Sequence, residues 1–185
     1  EDLFEGYNEA DLHRGQIEKM LRLTVYRDFS KLYRFANVEQ RKFLALYFKR
    51  YEVSVIKECL NTVFDHRDVV LNLSIFDEFF NKHSQLDINL LASSRTIEEL
   101  IANLKGTEYY APLSQLADIE RPTLFDYEMT LDLYYFAQMW KDRSKVVTKR
   151  DLEELTAAWG SKFDMLNLQW IYRSKRYYHM TSAQI

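Results

Sequence analysis

Asn37-Val-Glu-Gln40-Arg-Lys-Phe43-Leu44-Ala-Leu-Tyr47-Phe48-Lys-Arg-Tyr51-Glu52-Val-Ser-Val55-Ile-Lys-Glu-Cys59-Leu60-Asn-Thr-Val63 carries the plainest structural signal in the chain. From Leu44 through Tyr47, Phe48, Tyr51, Val55, Cys59, Leu60 and Val63 the apolar positions step by three or four, the period of one buried helix face. Asn37 with Gln40 three residues on reads as a capping box that opens it. The spacing predicts one long amphipathic helix over 38–65, with Lys49, Arg50, Glu52, Lys57 and Glu58 on its other faces.

The same period runs outward from it. Ser74 with Asp77 marks a short helix carrying Phe76, Phe79 and Phe80. Thr96 with Glu99 opens another through Ile97, Leu100, Ile101 and Leu104, stopped by Gly106. Pro122 fits a first helical turn, and that helix should run to about Arg143. Thr148 with Asp151 should cap the last helix, whose stripe is Leu152, Leu155, Trp159, Phe163, Leu166 and Trp170. Acidic residues crowd its start and Arg173, Lys175 and Arg176 its end, the order a helix dipole favours. Gly160 inside it marks a kink or a close contact. No Gly or Pro lies between Gln16 and Lys105, which leaves many-stranded sandwiches, barrels and glycine-rich phosphate loops without their turns. The fold class is all-α.

Composition is that of an ordinary globular chain. Of 185 residues 47% are apolar and 29% charged, too apolar for a disordered tail. The net charge of −3 provides no whole-chain attraction to nucleic acid or anionic lipid. Its 13 Tyr, 12 Phe and 3 Trp promise a large core or a sticky surface. The apolar run through Leu44 to Phe48 is far short of the roughly 18–20 residues that cross a bilayer. One cysteine, Cys59, can neither pair within the chain nor begin a zinc-ligand set, so a reducing, cytosolic setting is expected. The chain opens Glu1-Asp2 without an apolar leader or a Met, as expected of a piece of a longer protein.

Few residues invite chemistry. His13, His66, His83 and His179 are scattered without an i, i+4 partner, and metal sites need clustered ligands. Cys59 falls on an apolar stripe, where a thiol is a small hydrophobe. Glu98-Glu99 and Asp151, Glu153 and Glu154 open helices, where carboxylates satisfy free N–H groups. The segment Tyr172-Arg-Ser-Lys-Arg-Tyr-Tyr-His179 interleaves cations with tyrosines as a base-stacking surface would, yet cations are expected at a helix end. The aromatic-all-round stretch Leu124–Trp140, with Phe125, Tyr127, Tyr134, Tyr135 and Phe136, reads as a doubly buried helix or a surface that meets a partner. No catalytic, cofactor-binding or metal-ligating residue is assigned, and no cofactor is expected.

Two internal echoes point to repeats. Ile17-Glu18-Lys19-Met20 followed by Thr24-Val25-Tyr26 matches Ile97-Glu98-Glu99-Leu100 followed by Thr107-Glu108-Tyr109, and Tyr51-Glu52-Val53-Ser54-Val55-Ile56-Lys57 matches Phe163-Asp164-Met165-Leu166-Asn167-Leu168-Gln169. The helical pseudo-repeat organisation expected is 1–35 as the end of a first unit, 36–120 as a second, and 121–185 as the first half of a third.

Phe163-Asp164-x-x-Asn167-Leu168-x-x-x-Tyr172-Arg173-x-Lys175-x-Tyr177-Tyr178, followed by Thr181-Ser182-Ala183-Gln184-Ile185, resembles the C subunit of bacterial and archaeal V-type (A-type) ATPases, the counterpart of the d subunit of eukaryotic V-ATPases. Tyr51-Glu52 resembles the head, and Thr107-Glu108-Tyr109 the closing tail, of such a unit. The resemblance implies three helical units forming a funnel and a non-catalytic central-rotor subunit. It also implies central-stalk subunits and the membrane proteolipid ring as partners, peripheral to the membrane on its cytoplasmic face, in ATP-linked proton or sodium transport. Without the resemblance, the residues fit a helical interaction scaffold of the solenoid kind, or a nucleic-acid-binding domain using Arg173–Tyr178.

Overall fold

The computed structural model describes residues 14–65, 71–177 and 179–182. These form eight α-helices and two 3-10 turns, with no strand among the described residues. The helices are α1 (Arg14–Phe35), α2 (Val38–Phe64), α3 (Asp77–His83), α4 (Ile88–Ser93), α5 (Ile97–Asn103), α6 (Tyr110–Ser114), α7 (Leu124–Val146) and α8 (Lys149–Arg176). The expected all-α fold is the one observed.

Local signals account for most of the starts. Asn37 accepts the Gln40 N–H while Gln40 accepts the Asn37 N–H, both at 2.9 Å, so the predicted capping box opens α2. Arg41 donates to the last carbonyls of α1, those of Tyr33 and Arg34, which closes the α1–α2 turn. Thr96 caps α5 as expected, and Gly106 takes up φ +88 just beyond that helix. Three expected starts differ. Ser74 does not cap: its N–H and hydroxyl both go to Asn72, it lies in a 3-10 turn, and α3 begins at Asp77. Pro122 precedes α7, whose N-cap is Thr123 in a capping box with Asp126, and the helix continues to Val146. At α8 the Thr148 hydroxyl donates to Asp151 at 2.7 Å and caps no backbone N–H. The short helices α4 and α6 carry no periodic signal long enough to see; α4 is held by Asp87, which accepts the Leu90 N–H.

Helix α2 is the hub and packs against α1, α4, α5 and α7. Aromatic rings join α1, α2 and α3: Tyr26 stacks on Phe79 at 4.2 Å, and Tyr51 meets Tyr26 edge-on at 5.1 Å. On the α7 side Lys57 pairs with Asp132 at 2.6 Å and Asn61 donates to Glu128 at 2.8 Å. Helix α7 lies between α2 and α8, as its aromatic composition anticipates. It buries Tyr127, Leu131, Tyr135 and Met139, and sends Phe125 to Trp170 and Phe136 to Phe163. The predicted stripe of α8 meets α7 at Phe163 and Trp170 and reaches Phe43 of α2 at Trp159, and of its six residues only Trp159 is buried.

The two long hairpins repeat. Helices α1 and α2 are joined by two residues, and so are α7 and α8. At the 112-residue offset of the Tyr51/Phe163 echo, Val38 falls on Arg150 and Phe64 on Arg176, so α2 and α8 coincide almost end to end. Tyr51 meets its hairpin partner at Tyr26, and Phe163 meets its own at Phe136. The other echo does not share local structure: Thr24-Val25-Tyr26 is inside α1, whereas Thr107-Glu108-Tyr109 is in the connection from α5 to α6. The 35/36 division falls in the α1–α2 turn and the 120/121 division in the segment before α7.

Helix α8 runs unbroken through Gly160, and a Cβ there would lie 4.0 Å from the Trp140 indole, an ordinary contact. Gly160→Ala should therefore raise stability by about 0.4–1 kcal/mol, measured by urea denaturation. A loss of stability would show that the indole cannot accommodate the methyl group.

Candidate functional site

The sequence pattern places Glu52 on a polar face of α2; the structure places it in the core, at 9% exposure. The reason is that α2 is covered on more than one side, so a single apolar stripe does not describe it. One Glu52 oxygen accepts the Ser84 hydroxyl, and the other accepts the Tyr109 hydroxyl at 2.6 Å. Ser84 Oγ also accepts the Leu86 N–H at 3.0 Å, which shapes the connection from α3 to α4. The Thr107 hydroxyl donates to the Leu104 carbonyl at 2.7 Å and accepts the Tyr109 N–H at 3.3 Å. With Gly106 at positive φ, this turns the chain beyond α5 so that Tyr109 points back at α2. The Thr-x-Tyr motif thus has a mechanical reading: Thr closes a helix end and aims Tyr at the buried acid.

Glu108, between them in sequence, works at the rim. It takes Lys49 of α2 at 2.6 Å and the Tyr134 hydroxyl of α7 at 2.8 Å. Segments from α2, α7 and the connections that follow α3 and α5 therefore meet at two carboxylates. A cleft of about 310 Å³ opens beside them, lined in part by Phe48, Glu52, His83, Ser84 and Tyr109.

Burial sets the electrostatics of this joint. It raises the Glu52 pKa above 4.5, an effect opposed by the hydrogen bonds from Ser84 and Tyr109. Burial and the neighbouring Glu52 carboxylate push the Tyr109 hydroxyl up, so it serves as a donor at all ordinary pH. Tyr134 is raised by desolvation and by its bond to Glu108. The set holds the Glu52 carboxylate in place between two hydroxyl donors.

The other candidates resolve as follows. His83 sits among Phe29, Tyr33, Phe48 and Phe79, with ring centroids 4.6–5.6 Å away and its Nε2 buried without a hydrogen-bond partner. Desolvation, and secondarily Lys82, lower its pKa, so it stays neutral as an aromatic packing element. His179 is exposed, whereas His13, His66 and Tyr178 lie outside the described residues, as do Ala183, Gln184 and Ile185. Cys59 is buried and its thiol is pushed up to about 12, which removes the thiolate a nucleophile needs. Glu99 accepts the Arg95 N–H at 2.7 Å at the start of α5, and Asp151 receives Thr148, both helix-end roles. Arg173, Lys175 and Arg176 occupy the last turn of α8, and Tyr172 packs edge-on to Tyr177 at 6.3 Å. Among the described residues no group of three or more His, Cys, Asp or Glu is placed to hold a metal ion.

A second feature is a cleft of about 880 Å³ where the α1–α2 and α7–α8 turns come together. Leu32, Phe35, Phe43, Val146 and Leu155 line it, with Glu39 and Glu154 also in its walls.

The sequence pattern of the family described as ATP synthase (C/AC39) subunit matches residues 1–185. The chain belongs to that family. It is similar to the C subunit of the A-type ATP synthase of Methanosarcina mazei, 28% identical over 179 residues, covering 95% of this chain and 46% of the relative. It is also similar to the C subunit of the A-type ATP synthase of Methanocaldococcus jannaschii, 24% identical over 162 residues, covering 86% of this chain and 40% of the relative. The chain thus spans less than half the length of these curated relatives. No solved structure gives a significant match. Membership agrees with the resemblance carried by the Asp164-x-x-Asn167-Leu168 and Thr107-Glu108-Tyr109 motifs. No described helix of this C/AC39-family chain is long and apolar enough to cross a membrane.

Tyr109→Phe removes one donor from a buried carboxylate and should cost about 1–3 kcal/mol by urea denaturation. Because the folded pKa of Glu52 is raised, its stabilising contribution is complete below 4.5 and is lost as pH rises through the folded value. The stability of the wild type relative to Glu52→Gln should therefore fall as pH rises above 4.5. A pH-independent difference between the two proteins would contradict a Glu52 carboxyl whose pKa is raised by burial.

Proposed function

We propose that the protein is a non-catalytic rotor subunit, a socket that joins the central stalk to the membrane proteolipid ring and passes torque in ATP-linked proton or sodium transport. It would do so peripherally, on the cytoplasmic face of the membrane. Membership of the ATP synthase (C/AC39) subunit family over residues 1–185 carries this reading. The names of the relatives, each the C subunit of an A-type ATP synthase, agree with a part of such a complex.

The architecture suits a part that transmits force. Torque is lost wherever helices slide, and sliding is resisted by interdigitated rings and by hydrogen bonds that need a fixed register. Both are present across α2: the ring cluster of Tyr26, Phe29, Tyr51 and Phe79, and the Glu52–Tyr109 bond. The sequence divisions of the funnel are 1–35, 36–120 and 121–185; we propose moving the first boundary to before α1, so that α1 groups with α2 in one unit as α7 groups with α8 in the next. The two equivalent hairpins support that grouping. We assign the interior contacts of the funnel to polar and charged side chains, and no catalytic, metal or cofactor residue.

The full-length protein mixed with purified central-stalk subunits should co-elute with them in size-exclusion chromatography and also associate with the detergent-held ring. The stalk complex should weaken as salt is raised, since exposed charge pairs are screened. A full-length protein that stays free of both stalk and ring would overturn the rotor assignment. A salt-insensitive complex would overturn the polar interface alone.

A further inference from the structure

His83, the last residue of α3, stands beside the Glu52 joint without taking part in it. Its ring is held from three helices, by Phe29 and Tyr33 of α1, Phe48 of α2 and Phe79 of α3, with Tyr33 nearest at 4.6 Å. Nε2 is buried among them with no hydrogen-bond partner. A neutral imidazole fits such a place, because it can carry its proton on Nδ1 and leave Nε2 bare. An imidazolium does not, since both nitrogens are then donors and the Nε2 N–H has no acceptor.

The titratable and charged groups around the ring are Tyr33 on α1, Arg41, Lys49 and Glu52 on α2, Lys82 on α3, and Glu108 and Tyr109 across the cleft. Those on the side of the rings oppose a second cation. Lys82 adjoins His83, and the Arg41 guanidinium already lies over the Tyr33 ring at 5.4 Å. The carboxylates lie on the other side. Glu52 and Glu108 line the cleft of about 310 Å³ that His83 also borders. Glu108 is engaged by Lys49 and Tyr134, whereas Glu52 accepts two hydroxyls and a carboxylate has lone pairs for further donors.

We propose that His83 is an acid-operated latch on α3. Neutral, it locks the end of α3 between α1 and α2; protonated, it leaves the rings, turns into the cleft and donates to the Glu52 carboxylate. The change takes up one proton from solvent and breaks no covalent bond. Ser84, the next residue, donates to the same carboxylate, so the movement reaches the connection from α3 to α4. Burial holds the folded pKa of His83 below 6.5, so the closed latch is fully in place above 6.5 and is lost as pH falls through the folded value. The latch rests on the ring cage and the cleft and is independent of the rotor reading.

NMR of the full-length protein, isotope-labelled at histidine Cε1, tests the latch, the His83 signal being the one missing from His83→Phe. Above pH 6.5 the four rings should displace that signal from the position of an exposed histidine; as it titrates below 6.5 it should move to the position of an exposed imidazolium. Amide exchange protection across α3, corrected for the intrinsic pH dependence, should fall in parallel, by up to about tenfold per pH unit for one proton taken up. His83→Phe keeps a ring in the cage with no proton to gain, so its α3 protection should stay constant over the same range. A charged ring that keeps the displacement would overturn the latch, since it would then be protonated in place. An equal loss of α3 protection in wild type and His83→Phe would overturn it too, because another group would then carry the pH response. Glu52→Gln should move the His83 midpoint still lower, and an unchanged midpoint would overturn Glu52 as the acceptor.

Discussion

A carboxylate taken out of water must be given hydrogen-bond donors, and Glu52 is given two that come from different stretches of chain. Ser84 arrives from the end of α3 and Tyr109 from the connection between α5 and α6. Neither can move without leaving a buried charge unpaired, so the four short helices after α2 are held in one arrangement. Short helices of five to seven residues have little stability of their own, and tertiary contact must supply it. The apolar core beneath them, with Leu73, Phe76, Phe80, Leu100, Leu104 and Leu113 almost fully buried, provides cohesion without direction. The Glu52 bonds provide the direction.

The rest of the molecule extends this joint sideways. Glu108 fastens the same turn to Lys49 of α2 and Tyr134 of α7, while Lys57–Asp132 and Asn61–Glu128 continue the α2–α7 seam. On the opposite flank the Arg22–Glu58 pair, at 2.5 Å and only partly exposed, ties α1 to α2 beside the aromatic cluster. Polar contacts thus mark the register of each neighbour of α2, and rings fill the space between them. A protein whose proposed work is to carry force without chemistry has use for such an arrangement, since rigid contacts transmit a load that loose ones would absorb.

Particular residues mark where sequence patterns reach and where they stop. The capping boxes, the long apolar periods and the lack of Gly and Pro between Gln16 and Lys105 are local facts, and they make α2, α5, α7 and α8 legible. Pro122 misleads by one step because Thr123 with Asp126 is the stronger cap. Ser74 misleads because Asn72, two residues away, takes both of its donors. Glu52 misleads for a deeper reason. A helix with one buried stripe has a polar side, whereas α2 is enclosed by neighbours that only the folded chain brings together.

Spacing along the chain suffices to establish that it is helical, that two of its long helices share a motif, and which family it resembles. These properties depend on residue types that act within a few positions of each other. The pairing of the head motif's acid with the tail motif's tyrosine emerges only when the helices pack. So does the role of His83 as a packing element among the rings of α1, α2 and α3. Those facts depend on distance and burial between residues as far apart as Glu52 and Tyr109, where hydrogen bonding and desolvation act across space and leave no periodic trace in the chain.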